Sequence, residues 1–260
     1  MITVDFVQLG INDGDLILDA GCGVGRHSWD LVKSNHRVFS IDLDAEALAT
    51  NYKFLKYLDA LGEIRGTYCI LQSNVQALPF ADATFDRVIC SEVLEHVDDY
   101  FEATAELVRV LKPGGTIGVS VPTWITEVFY WKLDKNYSHP GGHIRIFRAY
   151  QVRELLEAFG LTILGSNRRH SLHSPYWFLR CLFGLDRENA LLTRAYNRFL
   201  CWVENHSSPP FKFLERLLDP LFGKSLVYYA LKAEDRAMDA AGARAAVEHR
   251  RKKENSGRKG

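Results

Sequence analysis

ILDAGCGVGRHS, residues 17–28, sets the reading of this 260-residue chain. A short apolar run, Leu16–Asp19, closes on an acid, and Gly21, Gly23 and Gly25 follow at alternate positions before a helix-like segment. Glycines placed where a strand gives way to a helix let the backbone come close to a ligand. A dinucleotide-binding turn needs G-x-G-x-x-G, and its third glycine position holds Arg26 here. Phosphate beside Asp19 would be repelled, whereas a cationic ligand carrying an amino group would be attracted.

Outward from this turn, short apolar runs alternate with amphipathic stretches through the first 165 residues. That alternation predicts a parallel sheet with helices on both faces. Strands are expected at Leu16–Asp19, Arg37–Asp42, Thr67–Leu71, Phe85–Cys90, Thr116–Val121 and Leu161–Gly165, and a last one at 226–233. Helices are expected from Gly25, over Ala45–Leu58, after Asp98 or Asp99, and over Ala149–Phe159. The helix after the aspartates would bury Phe101, Ala105, Val108 and Leu111.

Between the last two strands, Leu192, Ala195, Tyr196, Phe199 and Val203 repeat at helical spacing, as do Phe213, Leu214, Leu217, Leu218 and Leu221. The expected organisation is a core over 1–170, a helical cap insertion over 171–224, the last core strand at 225–233, and a charged tail over 234–260, frayed or disordered.

Hydrophobic residues make up 47% and charged residues 25%, an ordinary globular balance. The 32 basic and 32 acidic residues cancel, so overall charge gives no pull toward nucleic acid. Basic residues gather at the end, where HRRKKENSGRKG holds six against one acid. Five cysteines without a C-x-x-C pair read as buried, reduced thiols. The N-terminal stretch lacks the charged start and apolar core of a signal peptide, and no apolar run approaches the ~18 residues of a membrane span. A cytoplasmic location is therefore expected.

The glycine turn resembles motif I, D/E-x-G-x-G-x-G, of the class I S-adenosylmethionine-dependent methyltransferases. VFSIDLD resembles the second-strand acid of that family, LPFADATFDRVICSEVLEHV its fourth-strand region, and LVRVLKPGGTIGVSVP its fifth-strand entry. The resemblance, closest to the type 11 and ubiquinone-type members, implies a Rossmann-like fold with a seven-stranded, mostly parallel sheet. It also implies S-adenosylmethionine as cofactor. Gly21 and Gly23 would lie against its methionine part, Asp19 would attract its ammonium, and Asp42, beside Leu43, would accept both ribose hydroxyls. Asn74 and Val75 would meet the adenine, with Asn74 standing where the family usually has Asp. Ser91 and Glu92 would border the methionine part and the reacting methyl.

A second constellation lies in SEVLEHV: if that segment is helical, Glu92, Glu95 and His96 share one face. His143, in HPGGHIRIF, is a fourth member. Two carboxylates and imidazoles at this spacing suit a metal. The segment resembles the E-x-x-E-H motif with which some O-methyltransferases hold a divalent cation such as Mg. Without a metal, His96 or His143 serves as general base.

The expected activity is methyl transfer, most simply to a hydroxyl of a lipophilic or aromatic small molecule, since the cap is apolar. Nucleic acid is not expected as a partner, and the cap with the basic tail suggests peripheral membrane contact. The competing readings are an RNA or protein methyltransferase, with RRH at 168–170 and the tail as its basic footprint, or a non-catalytic binding or scaffold protein.

Overall fold

Ile17 and Leu18, neighbours in the first strand, belong to two different hydrophobic clusters, one on each face of the central sheet. The computed structural model describes residues 2–133, 143–183, 191–206, 209–233 and 239–257. Its seven strands are β1 Leu16–Ala20, β2 Arg37–Asp42, β3 Thr67–Gln72, β4 Phe85–Ser91, β5 Leu111–Pro122, β6 Leu161–Arg169 and β7 Ser225–Lys232, arranged in the order β3-β2-β1-β4-β5-β7-β6. All neighbours pair in parallel except β7, which runs antiparallel to both β5 and β6. This is the mostly parallel sheet that the resemblance implies, and β7 departs from the parallel sheet that the alternation alone predicts. The chain leaves β1 for opposite sides of the sheet at β2 and β4, so a crevice opens at the carboxyl ends of those strands.

The core helices are α1 Arg26–Leu31, α2 Ala45–Ala60, α3 Tyr100–Val110, α4 Trp124–Leu133 and α5 Ala149–Ala158. Leu31, Leu55 and Leu58 pack with Val4, Leu9, Ile17, Val227 and Tyr229 on one face. Phe101, Leu107, Val108, Leu155 and Leu156 pack with Leu18, Val88, Ile117 and Tyr228 on the other. Asp99, not Asp98, caps α3 by accepting the N–H groups of Phe101 and Glu102. The buried face of α3 is Phe101, Thr104, Leu107 and Val108; Ala105 is half-buried and Leu111 already belongs to β5. Buried Lys232 closes the far end of α3, its Nζ donating to the carbonyls of Val108 and Leu111 at 2.6 Å each. Carbonyls at a helix end have no partner inside the helix, and a cation satisfies them.

The N-terminal residues are tied to the core by polar contacts. The N–H groups of Thr3 and Val4 donate to Nε2 of His27, and that of Asp5 to the hydroxyl of Tyr229. Between β6 and β7 the chain forms a 3-10 turn, Ser171–His173, then α6 Ser174–Phe183, α7 Leu191–His206 and α8 Pro209–Phe222. Helix α8 packs on β6 and the 3-10 turn, and α6 packs on α4.

Three expectations need correction. The tail is not wholly frayed: Ala240–Gly257 forms α9, and Ala243 and Val247 are buried against α3 and α5. Only these small apolar residues mark its inner face, and the charges around them mask it. The aromatic stretch after β5 contains a helix, α4, that the pattern did not separate from pocket lining. Cys22 and Cys90 are buried thiols, but Cys69 and Cys201 are exposed, Cys69 because β3 is an edge strand.

Val247→Ala should lower the unfolding free energy by about 1–2 kcal/mol through lost burial. Arg244→Ala, which removes a half-exposed pair with Asp99 and a guanidinium stacked on the Phe101 ring, should cost about 1 kcal/mol or less. Urea denaturation of the two variants checks the ordering.

Candidate active site

The glycine turn is fastened to the end of β2. Gly21 and Cys22 donate their N–H groups to the carbonyl of Ile41 at 2.8 and 2.9 Å. The Asp42 carboxylate accepts the N–H of Gly23 at 2.7 Å through Oδ2 and that of Asp44 at 2.9 Å through Oδ1. At Gly21, φ is 70° and a Cβ would lie 2.3 Å from Cγ2 of Val93; at Gly25, φ is 94° and a Cβ would meet Asn51 at 2.1 Å. Neither position admits another side chain.

Beside this turn lies a cavity of about 620 Å³, walled by Gly21, Gly23, Asp42, Leu43, Val75, Ser91 and Glu92 and reaching His96 and Ile144. Each Asp42 oxygen spends one lone pair on a backbone N–H and keeps acceptor capacity for a ligand hydroxyl.

Two expected cofactor residues stand differently. Asp19 is buried behind the turn rather than lining the cavity, and its Oδ2 accepts the Ser28 hydroxyl at 2.6 Å. Burial raises its pKa to about 6. Asn74 is also absent from the wall; its Oδ1 accepts the N–H of Gln76, and Ser73 lines the cavity instead. His27 is a lining residue that the sequence did not single out. It is held neutral, its pKa lowered to about 3 by burial and then by neighbouring Arg26.

After β4 the chain turns instead of continuing as a helix, and Glu92 takes φ 57°. Arg145 fastens this turn by donating to the carbonyls of Leu94, Val97 and Asp98, while the Ile144 N–H donates to the Glu95 carbonyl at 3.0 Å. These contacts bring His143 to His96, with ring centroids 4.8 Å apart. Ligand-type atoms of Glu95, His96 and His143 all lie within 4.8 Å of one another. Glu92 does not join them: its Oε1 accepts the Ser120 hydroxyl at 3.1 Å.

Glu127, on α4, was missed by the sequence reading. Its Oε2 lies 2.5 Å from Nδ1 of His143, and the residue is 1% exposed. Only its position one helical turn after Thr123 hinted at an inward acid among aromatic residues. Glu95 is fully buried, and among the described residues neither carboxylate oxygen has a hydrogen-bond partner. Burial, and then the nearby Glu92, push its pKa well up. Burial raises Glu92 as well, opposed by Lys224.

Residues 18–119 match the family model described as a methyltransferase domain. This stretch carries a methyltransferase domain. Over 150 residues, 56% of this chain and 52% of the relative, it is 30% identical to a probable S-adenosylmethionine-dependent methyltransferase of Mycolicibacterium smegmatis. Over 111 residues, 42% of this chain and 41% of the relative, it is 34% identical to the ubiquinone/menaquinone biosynthesis C-methyltransferase of Haemophilus ducreyi. The chain thus spans about half the length, or less, of the curated relatives it matches. A crystal structure of a methyltransferase from Methanosarcina mazei superposes with a TM-score of 0.60 at 17% identity, over 90% of this chain and 100% of that one. At that identity the likeness concerns the fold.

His27 gives a pH test of the domain's architecture. Its folded pKa lies below that of the unfolded chain, so its stabilising contribution is present above pH ~6.5 and is lost as pH falls toward 3. From pH 6.5 to 5 the loss should be about 2 kcal/mol. His27→Gln keeps an acceptor for Thr3 and Val4 without titrating. Denaturant unfolding should show the wild type losing more stability than this variant over that interval.

Proposed function

We propose that this chain is an S-adenosylmethionine-dependent methyltransferase acting on a small lipophilic or aromatic acceptor, at a hydroxyl oxygen. The observation that carries the reading is the cavity itself: the glycine turn and Asp42 form one wall, and His96 stands at its far end. The residues present fit the cofactor. Asp42 would hold its ribose hydroxyls, Gly21 and Gly23 would flank its methionine part, Val75 and Ser73 would meet the base, and Ser91 and Glu92 would border the sulfonium. When bound, it supplies an electrophilic methyl group. Asp19 acts through Ser28, behind the turn.

His96, exposed on the cavity wall, is the group that takes the acceptor's proton. His143 packs against it, and buried Glu127 fixes the orientation of the His143 ring. The apolar character of the cap and the quinone-type relative support a lipophilic acceptor.

Labelled S-adenosylmethionine incubated with extracts separated into lipid, small-molecule, RNA and protein fractions should label the lipid or small-molecule fraction. Asp42→Ala should weaken cofactor binding at least ten-fold by calorimetry, and unchanged affinity would refute its role. Glu127→Gln should lower kcat about ten-fold or more with cofactor affinity unchanged.

A second reading rests on the buried, unpartnered oxygens of Glu95. A divalent cation held by Glu95, His96 and His143 would satisfy them and lower the pKa of an acceptor hydroxyl. One carboxylate with two imidazoles suits a first-row transition metal better than Mg, which prefers oxygen ligands. Full activity after exhaustive chelation excludes this reading and leaves the histidines as bases.

Helix α8 gives the membrane expectation a concrete surface. Phe213, Leu217 and Leu221, spaced four apart on one helix face, are 70%, 63% and 71% exposed. A stripe of this kind, with exposed Arg216 beside it, fits an anionic lipid surface from which a lipophilic acceptor is drawn. Flotation with anionic vesicles should carry the wild type upward and leave the Phe213→Ser, Leu217→Ser, Leu221→Ser variant behind.

A further inference from the structure

At the junction of core and cap, three metal-ligating side chains from separate elements meet. His170 follows β6, His173 sits in the 3-10 turn, and Glu215 comes from α8; one ligand-type atom from each lies within 4.8 Å of the others. The site is distinct from the Glu95, His96 and His143 cluster and shares no residue with it.

Local structure is arranged to bring these groups together. His170 is 7% exposed and takes φ 70°, a left-handed conformation that a side chain larger than glycine adopts at a cost. Its Nε2 lies 3.1 Å from the Thr3 hydroxyl, which leaves Nδ1 for another partner and fixes the ring, as outer contacts do around metal-bound histidines. The His170 and His173 rings meet edge to face at 5.9 Å. Ser171, between them, binds α8 twice: its N–H donates to Asp219 at 2.9 Å and its hydroxyl to the carbonyl of Glu215 at 3.2 Å. The backbone carrying Glu215 is therefore already seated on the turn that carries both histidines.

We propose that His170, His173 and Glu215 form a binding site for a zinc-type divalent cation that ties cap helix α8 to the end of β6. Two imidazoles and one carboxylate are a zinc ligand set that leaves a fourth position open. Ligands at 2.0–2.2 Å around a tetrahedral ion stand about 3.4 Å apart. The ligand-type atoms, within 4.8 Å of one another, would close by about an ångström around such an ion. Because α6 follows the turn directly and packs on α4, the ion would also steady the helix that carries Glu127.

The test uses chelator-treated full-length chain titrated with zinc chloride by calorimetry, in wild type, Glu215→Gln, His173→Ala and His143→Ala. Wild type and His143→Ala should share a binding event that Glu215→Gln and His173→Ala weaken at least ten-fold. Zinc should raise the Tm of the wild type and not that of Glu215→Gln. On the unaltered protein, zinc should protect the peptide containing His170 and His173 from carbethoxylation, read by mass spectrometry, which keeps the test valid if a variant fails to fold. Unchanged zinc affinity in Glu215→Gln, or no protection of that peptide at saturating zinc, overturns the proposal.

Discussion

The Asp42 carboxylate is the constraint on which the rest of the site depends. It sits at the end of β2 and takes the N–H groups of Gly23 and Asp44, so one side chain fixes the glycine turn, the strand end and the start of α2 together. Asp44 then caps α2 by accepting from Glu46 and Ala47. A carboxylate already oriented by two backbone donors loses little side-chain freedom when a ligand arrives, and this preorganisation is what a small-molecule cleft requires.

Much of this was written in the order of residues. The glycine turn, the acid ending β2 and the alternation that marks β1, β2 and β4 as strands are local patterns, readable because strand and helix periods differ. Asp19 and Asn74 are absent from the cavity lining for a reason that sequence does not contain. Whether a strand-end acid faces the cavity or Ser28 depends on how α1 packs. Glu127 was invisible because an acid in an aromatic-rich stretch has no partner until the segment around His143 folds across it. That crossing depends on Arg145, whose three carbonyl acceptors lie 47 to 51 residues earlier in the chain. α9 was hidden by its own composition: two buried aliphatic contacts suffice to seat a helix whose other faces are charged.

The acceptor end of the cavity collects acids in an apolar setting. Glu92, Glu95 and Glu127 stand near two imidazoles, with Lys224 as an opposing charge. Burial resists ionising Glu92 and Glu95 together, so a positive charge brought nearby relieves the arrangement. The proton-transfer reading and the cation reading thus draw on the same field and differ only in what carries the charge.

The contacts of the first residues have a consequence for how the chain reaches its native state. Thr3, Val4 and Asp5 precede the whole sheet in sequence, yet their partners include Tyr229 and Arg169 from the last two strands. Such distant pairings carry a loop-closure cost that is recovered only when the intervening sheet is in place. Since Thr3 and Val4 also cover His27 on the cavity wall, the ligand cleft is completed only after β7 has entered the sheet between β5 and β6. A chain lacking that strand would have its glycine turn but no finished wall, and ligand binding would report that β7 is in place.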